Sequence, residues 1–118
     1  MLNIESRIQQ GCVRWFRLQY PEYAGLLYAI PNGGKRNAVT GAILKAEGAL
    51  AGVADIFLSV PNRFYHGLYI EMKKPKGRQQ ESQKQFQQAV ESQGYKYSLC
   101  YSLDEFMELV KMYLKDKE

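Results

Sequence analysis

Asp55, Glu71 and Lys73 are the residues of this 118-residue chain whose types and spacing could do chemistry. The run Gly67-Leu68-Tyr69-Ile70-Glu71-Met72-Lys73 has the composition of a β-strand, in which side chains alternate faces with period two. Glu71 and Lys73 therefore project together, while Ile70 and Met72 turn the other way into apolar packing. Upstream, Val53-Ala54-Asp55-Ile56-Phe57-Leu58 reads as a second apolar strand with one carboxylate near its start. An acid within so apolar a run is costly to bury without a partner or a cation. Two carboxylates and an ammonium gathered on neighbouring strands suit phosphodiester hydrolysis. The carboxylates are hard oxygen ligands for Mg²⁺. The ammonium can orient a water or steady the charge that builds on phosphorus. The bland alternative is an exposed ion pair between Glu71 and Lys73, which contributes about 1 kcal/mol or less.

The elements that must position these residues alternate along the chain. Asn3 is placed to cap a helix over about residues 4–20, with Ile4, Ile8, Cys12 and Trp15 or Phe16 on one face and Pro21 ending or bending it. A short strand over 26–30 leads into Pro31-Asn32-Gly33-Gly34, a turn by composition. A helix over about 37–47 closes at Gly48. Two strands follow, over 54–60 and 67–73, joined by the short Pro61-to-His66 connection expected of an antiparallel hairpin. A helix over about 80–93 ends at Gly94, a strand runs over 96–101, and Ser102-Leu103-Asp104-Glu105 forms a capping box opening a last helix. The order is helix-strand-helix-strand-strand-helix-strand-helix, an α/β class with a mixed sheet. There are no repeats and no low-complexity segment.

With these residues in order, the chain resembles the virus-type replication-repair nuclease (VRR-NUC) domain of the PD-(D/E)XK nuclease superfamily. Asp55 followed by Glu71-Met72-Lys73 matches the D…ExK signature. The blocks Pro31-Asn32-Gly33-Gly34-Lys35-Arg36, Gly52-Val53-Ala54-Asp55, Glu71-Met72-Lys73 and Lys76-Gly77-Arg78 with Gln83 occur in the family's order, and Glu5 matches a glutamate on its first helix. Ala54 stands where a proline commonly precedes the aspartate, and Gln79-Gln80-Glu81-Ser82 lacks the proline often found before the glutamine. The resemblance runs from about residue 5 to residue 94 and implies a restriction-endonuclease-like core. It further implies that Asp55, Glu71 and the Met72 carbonyl would hold one Mg²⁺, with Mn²⁺ able to substitute. Glu5 would contact the metal directly, through a water, or in a second site. Lys73 would orient the attacking water. Gln83 enters the catalytic set by resemblance alone, in a helix so rich in glutamine that Gln80 and Gln85 remain alternative registers.

Composition bounds the rest. The chain can bury one core and reads as a single domain over its whole length. No apolar run reaches transmembrane length and no signal-peptide pattern opens the sequence. Cys12 and Cys100 read as buried free thiols, so the expected compartment is a reducing cytoplasm, bacterial or phage-infected. The net charge of +4 matters less than its placement. Lys73, Lys74, Lys76 and Arg78 crowd behind the proposed metal ligand, Asn32, Lys35 and Arg36 share a glycine-rich turn, and Arg14 and Arg17 lie on the first helix. Asn32, Lys35, Arg36, Lys74, Lys76 and Arg78 are the expected DNA contacts. His66 reads as a surface loop residue, and the nine tyrosines as core packing more simply than as base-stacking groups.

The expected activity is that of a structure-selective endonuclease on branched DNA, with the Holliday junction as lead substrate and flaps or plain duplex behind it. An idle nucleic-acid-binding subunit is the alternative from another class. A homodimer is expected because the last helix, with Leu103, Phe106, Met107, Leu109, Val110 and Met112 among its apolar residues, carries more apolar surface than one face requires. Trp15 and Phe16, side by side, cannot both point squarely into one core.

Overall fold

The computed structural model describes residues 3–31 and 38–117. Helix α1 spans Ile4–Gln19, and the Asn3 side chain accepts a hydrogen bond from the Ser6 N–H at 2.7 Å, a cap contributing about 1 kcal/mol. Pro21 does more than end this helix. It opens a 3₁₀ helix, Pro21–Leu26, which the sequence reading did not foresee. A ring-locked φ and a missing N–H suit proline to the first position of a new helix. Then come β1 (Leu27–Ala29), α2 (Ala38–Ala46), β2 (Ile56–Leu58), β3 (Leu68–Met72), α3 (Glu81–Ser92), β4 (Lys96–Cys100) and α4 (Leu103–Lys115). The expected order of helices and strands holds, with strands shorter than expected at their ends. The turn expected at Pro31-Asn32-Gly33-Gly34 falls largely outside the described residues.

The four strands form one sheet in the order β1-β2-β3-β4. β1 and β2 pair antiparallel, as do β2 and β3, whereas β4 lies parallel to β3 after the α3 crossover. Alternation divides the sheet. Leu27, Ile56, Leu58, Leu68, Ile70 and Met72 build one core face, closed by Cys12 and Phe16 of α1 and by Phe106, Val110 and Tyr113 of α4. The opposite face carries Tyr69 and Tyr97, against which Phe86 of α3 packs with ring centroids 5.0 and 6.2 Å away. α3 contributes no fully buried residue, so polar contacts matter to its placement.

Three expectations about packing change here. Ile4 is exposed instead of facing the core. Trp15 is absorbed within the chain, edge-on to Phe106 at 6.1 Å and to Tyr20 at 5.8 Å. Most of the apolar width of α4 is covered as well, since α4 packs on α1 as well as on the sheet, with Leu109 and Leu114 joining the core. What stays open on these two helices is Met112 at 65% and Leu103 at 38% exposure on α4, with Leu18 at 79% and Ile4 on α1. The Ser102 hydroxyl caps α4 by accepting from Glu105 N–H, but the Glu105 carboxylate reaches the N–H of Tyr101 and not that of Ser102.

Candidate active site

Glu71 lies on β3 with its side chain on the α3 face, and Lys73 follows one residue past the strand, its N–H donating to the Cys100 carbonyl at 2.8 Å. Asp55 precedes β2. Extending the β2–β3 register by one residue from the Ile56–Ile70 pair sets it opposite Glu71. Its backbone carbonyl accepts from Ile30 N–H at 2.8 Å, and its Oδ2 accepts from Met72 N–H at 2.7 Å. The loop before it is shaped by Gly52, whose φ of +90° is a left-handed conformation. A Cβ there would run into the Ser82 carbonyl. What approaches the backbone so closely at Gly52 is the first turn of α3.

That turn brings Gln83. Its Oε1 accepts from Lys73 Nζ at 2.8 Å and from Gln80 N–H at 2.8 Å, while its Nε2 donates to Glu71 Oε2 at 3.1 Å. These partners fix the amide orientation, because a flipped amide would set donors against donors. They also select Gln83 over the alternative registers at Gln80 and Gln85. Gln80 serves instead as the N-cap of α3, and the Gln83 reach-back to its N–H starts the helix without the absent proline.

Glu71 and Lys73 are 4% and 7% exposed, so this is a buried ionic cluster and not a strand-face pair. Lys73 Nζ stands 3.8 Å from Glu71 Oε2. Burial, and then the negative charge of Asp55, push the Glu71 carboxyl up to about 8. Burial likewise raises Asp55, opposed by the Met72 N–H that favours its charged form. Glu71 Oε1 is buried with no hydrogen-bond partner. Two desolvated carboxyls that share the one Lys73 ammonium form a site short of positive charge. Among the described residues no three His, Cys, Asp or Glu side chains are grouped closely enough to hold a metal. The donor set is a carboxylate pair, to which Glu5 is a near neighbour. Its charge raises both acids, and its Oε2 lies 3.4 Å from Lys74 N.

Residues 3–104 match the VRR-NUC domain family. The chain belongs to that family. VRR-NUC domains are nucleases, hydrolases that act on DNA. A solved structure described as a VRR_NUC domain protein superposes with a TM-score of 0.86 over 100% of this chain and 93% of its own length, at 21% sequence identity. At that identity the likeness speaks for the fold. No curated protein matches the chain.

The remaining residues distribute around the VRR-NUC centre. Met72 enters through its backbone N–H, with its side chain in the core. Lys74, Lys76 and Arg78 are all exposed on the turn that leaves β3. Gly77 N–H donates to the Lys74 carbonyl at 2.8 Å, and Lys76 adopts a φ of +65°, the one non-glycine residue with positive φ among those described. Asn32, Lys35 and Arg36 lie outside the described residues. His66 is exposed at the end of β3 away from Glu71. Cys12 and Cys100 are buried free thiols, and burial pushes each up to about 12. No helix among the described residues is long and apolar enough to cross a membrane.

Sequence reasoning missed a support behind Gln83. Gln79 Nε2 donates to Gln87 Oε1 at 2.8 Å and to the Tyr97 hydroxyl at 3.3 Å, tying both ends of the first α3 turns to β4. The signal was indirect. Tyr97 shares the face of Glu71 only once β4 is known to lie parallel to β3 in the Tyr69–Tyr97 register.

Proposed function

We propose that this VRR-NUC protein is a Mg²⁺-dependent endodeoxyribonuclease, with Mn²⁺ able to substitute, that nicks branched DNA. The observation that carries the reading is the orphaned Glu71 Oε1 beside Asp55, two buried carboxyls that share a single ammonium, that of Lys73. Asp55 and Glu71 would hold the cation, with the Met72 carbonyl and Glu5 as further ligands carried over from the family. A bound Mg²⁺ would polarise the scissile phosphate and acidify a water. Lys73 acts as a positioner. Gln83 holds its ammonium on the carboxylate side of the sheet, where it orients the attacking water and offsets negative charge on the phosphoryl oxygens as the P–O bond breaks. Gln83 also donates to Glu71, leaving the other Glu71 oxygen free for a ligand. The exposed Lys74, Lys76 and Arg78 supply phosphate contacts next to the centre.

A four-way junction is the lead substrate, cut by a symmetric homodimer whose two centres match two symmetric nicks. On α1 and α4, the exposed Met112, Leu103, Leu18 and Ile4 offer apolar surface for such a contact. A monomeric flap or single-nick nuclease is the second reading, favoured because Trp15 and most of α4 are covered within one chain. One experiment tests both. The protein is incubated with junction, flap and linear duplex DNA, with Mg²⁺ and with chelator, and its mass is measured by light scattering alone and on junction DNA. Metal-dependent nicking strongest on the junction, at twice the chain mass, supports the lead. Nicking by a monomer moves the reading to flaps. No nicking on any DNA with Mg²⁺ or Mn²⁺ overturns the enzyme and leaves a binding subunit.

A further inference from the structure

The sheet face that carries Asp55 and Glu71 continues, one step further along each strand, into a row of aromatic rings. Phe57 is two residues beyond Asp55 on β2, and Tyr69 is two residues before Glu71 on β3, so all four side chains share that face. Phe57 and Tyr69 are direct cross-strand partners with ring centroids 4.4 Å apart. Tyr28 on the edge strand β1 is the register partner of Phe57, its ring 6.0 Å away at an interplanar angle of 67°. The row is covered unevenly. Phe86 of α3 packs on Tyr69, whereas Tyr28 keeps 47% of its surface exposed.

A satellite core beneath α3 accounts for Tyr69, Phe86 and Tyr97. It does not account for Tyr28, which no ring of α3 contacts among the described residues. An edge-to-face contact with Phe57 is the one ring contact of Tyr28 among the described residues, and about half of its surface remains exposed to a flat partner. Two strand residues along and one strand across from Asp55 come to about 8 Å, within the reach of one or two nucleotides of an unstacked strand. A nucleic-acid strand with its phosphate at the carboxylates therefore has a base within reach of this ring. That base must be unpaired, because a base inside a duplex already has both faces stacked.

We propose that Tyr28, backed by Phe57 and Tyr69, is a stacking subsite for one unpaired nucleobase of the strand presented to the Asp55–Glu71 centre. The subsite rests on the nuclease reading for its occupant, and it gives that reading a physical basis for preferring DNA with unpaired nucleotides over plain duplex. Stacking recognises the π-face common to every base, so the preference is for structure and not for sequence.

The test is a coupling measurement by fluorescence anisotropy in chelator, where no strand is cut. The probe is a splayed duplex whose unpaired arm is made abasic one nucleotide at a time. Wild-type protein should lose about 5- to 100-fold in affinity at one or two arm positions, the range set by base–aromatic stacking. Tyr28→Leu, which keeps apolar bulk on the edge strand, should lose less than about 2-fold on the same base removal, and Tyr28→Trp should keep the wild-type loss. Fully paired duplex should bind all three alike. If no abasic position weakens wild-type binding, or if Tyr28→Leu retains the full loss, the subsite is wrong. Metal-dependent nicking by the wild type of the same splayed duplex, unmodified, separates the two readings. Nicking with silent base removal overturns the subsite alone, and coupling without nicking upholds it in a binding module. A wild type that does not bind the probe overturns both.

Discussion

The strongest physical constraint in this protein is the burial of Glu71 beside Asp55, and Glu71→Gln measures it. The carboxyl ordinarily titrates at 4.5, and burial with the neighbouring charge pushes it up to about 8 in the fold. The unfolded chain therefore releases this proton first. A raised carboxyl leaves stability intact below about pH 4.5 and removes it as pH climbs to about 8. At about 1.36 kcal/mol per unit, the metal-free fold is weakened by about 4 kcal/mol at pH 8 and by about 1 kcal/mol at pH 5. That is a large share of the stability of a domain this size. An amide at this position carries no charge to desolvate, can still accept from Gln83, and offers a donor where Oε1 now has no partner.

Urea unfolding in chelator at the two pH values is the assay. Glu71→Gln should gain about 3 kcal/mol more over wild type at pH 8 than at pH 5. With urea slopes of about 1–3 kcal/mol per molar, that is a midpoint difference of about 1 M or more. Adding Mg²⁺ at pH 8 should restore most of the wild-type deficit and do little for the variant, which should also be inactive. A wild-type midpoint that stays flat between pH 5 and pH 8, with no differential gain in the variant, would refute the account of a desolvated carboxyl pair that Lys73 compensates only in part.

Three further outcomes follow from named contacts. Asp55→Ala and Asp55→Asn should both lose cleavage, but only the alanine should also lose about 1–3 kcal/mol in urea unfolding, because it strips the Met72 N–H of its acceptor. Gly52→Ala should lower the unfolding midpoint by the equivalent of about 2 kcal/mol or more and reduce nicking, since the new Cβ must push Ser82 and the α3 turn away from Asp55. Lys76→Gly should leave the midpoint unchanged or slightly raised by relieving its left-handed backbone, while lowering by about 1 the slope of log affinity against log salt on DNA.

How much of this was legible in the sequence depends on the range of the interaction. Period-two alternation assigned Glu71 and Lys73 to one face and Ile70 and Met72 to the other, because it is a property of a single strand. Asn3 and Ser102 as helix caps were readable for the same reason. The Asp55–Glu71 juxtaposition needed only an antiparallel hairpin with a short connection. The parallel docking of β4 was out of reach, since it depends on where a helical crossover returns the chain, and with it went the Tyr97–Gln79–Gln87 support. Gln83 could not be told from its neighbours by composition. What singles it out is geometry, the one glutamine whose amide meets Lys73, Glu71 and a free N–H at once. The apolar width of α4 misled because width alone does not say whether a second helix of the same chain lies beside it.

The register of β2 on β3 joins folding to chemistry here. The backbone ladder between these strands stops at the Ile56–Ile70 pair. One residue further, the Asp55 carbonyl turns to Ile30 on the other side, and its side chain takes the Met72 N–H. The carboxylate proposed as a metal ligand thus acts as the terminal rung of the sheet. Slipping the pairing by one residue would put Ile70 and Met72 among the polar groups and bury Glu71 and Lys73 in the apolar core, where neither has a partner. The same alternation that fills the core therefore excludes every odd-numbered slip away from the register that sets Asp55 against Glu71. The site inherits its precision from the hydrophobic packing behind it, and α3 with Gln83 then has only to close over a pair already in place.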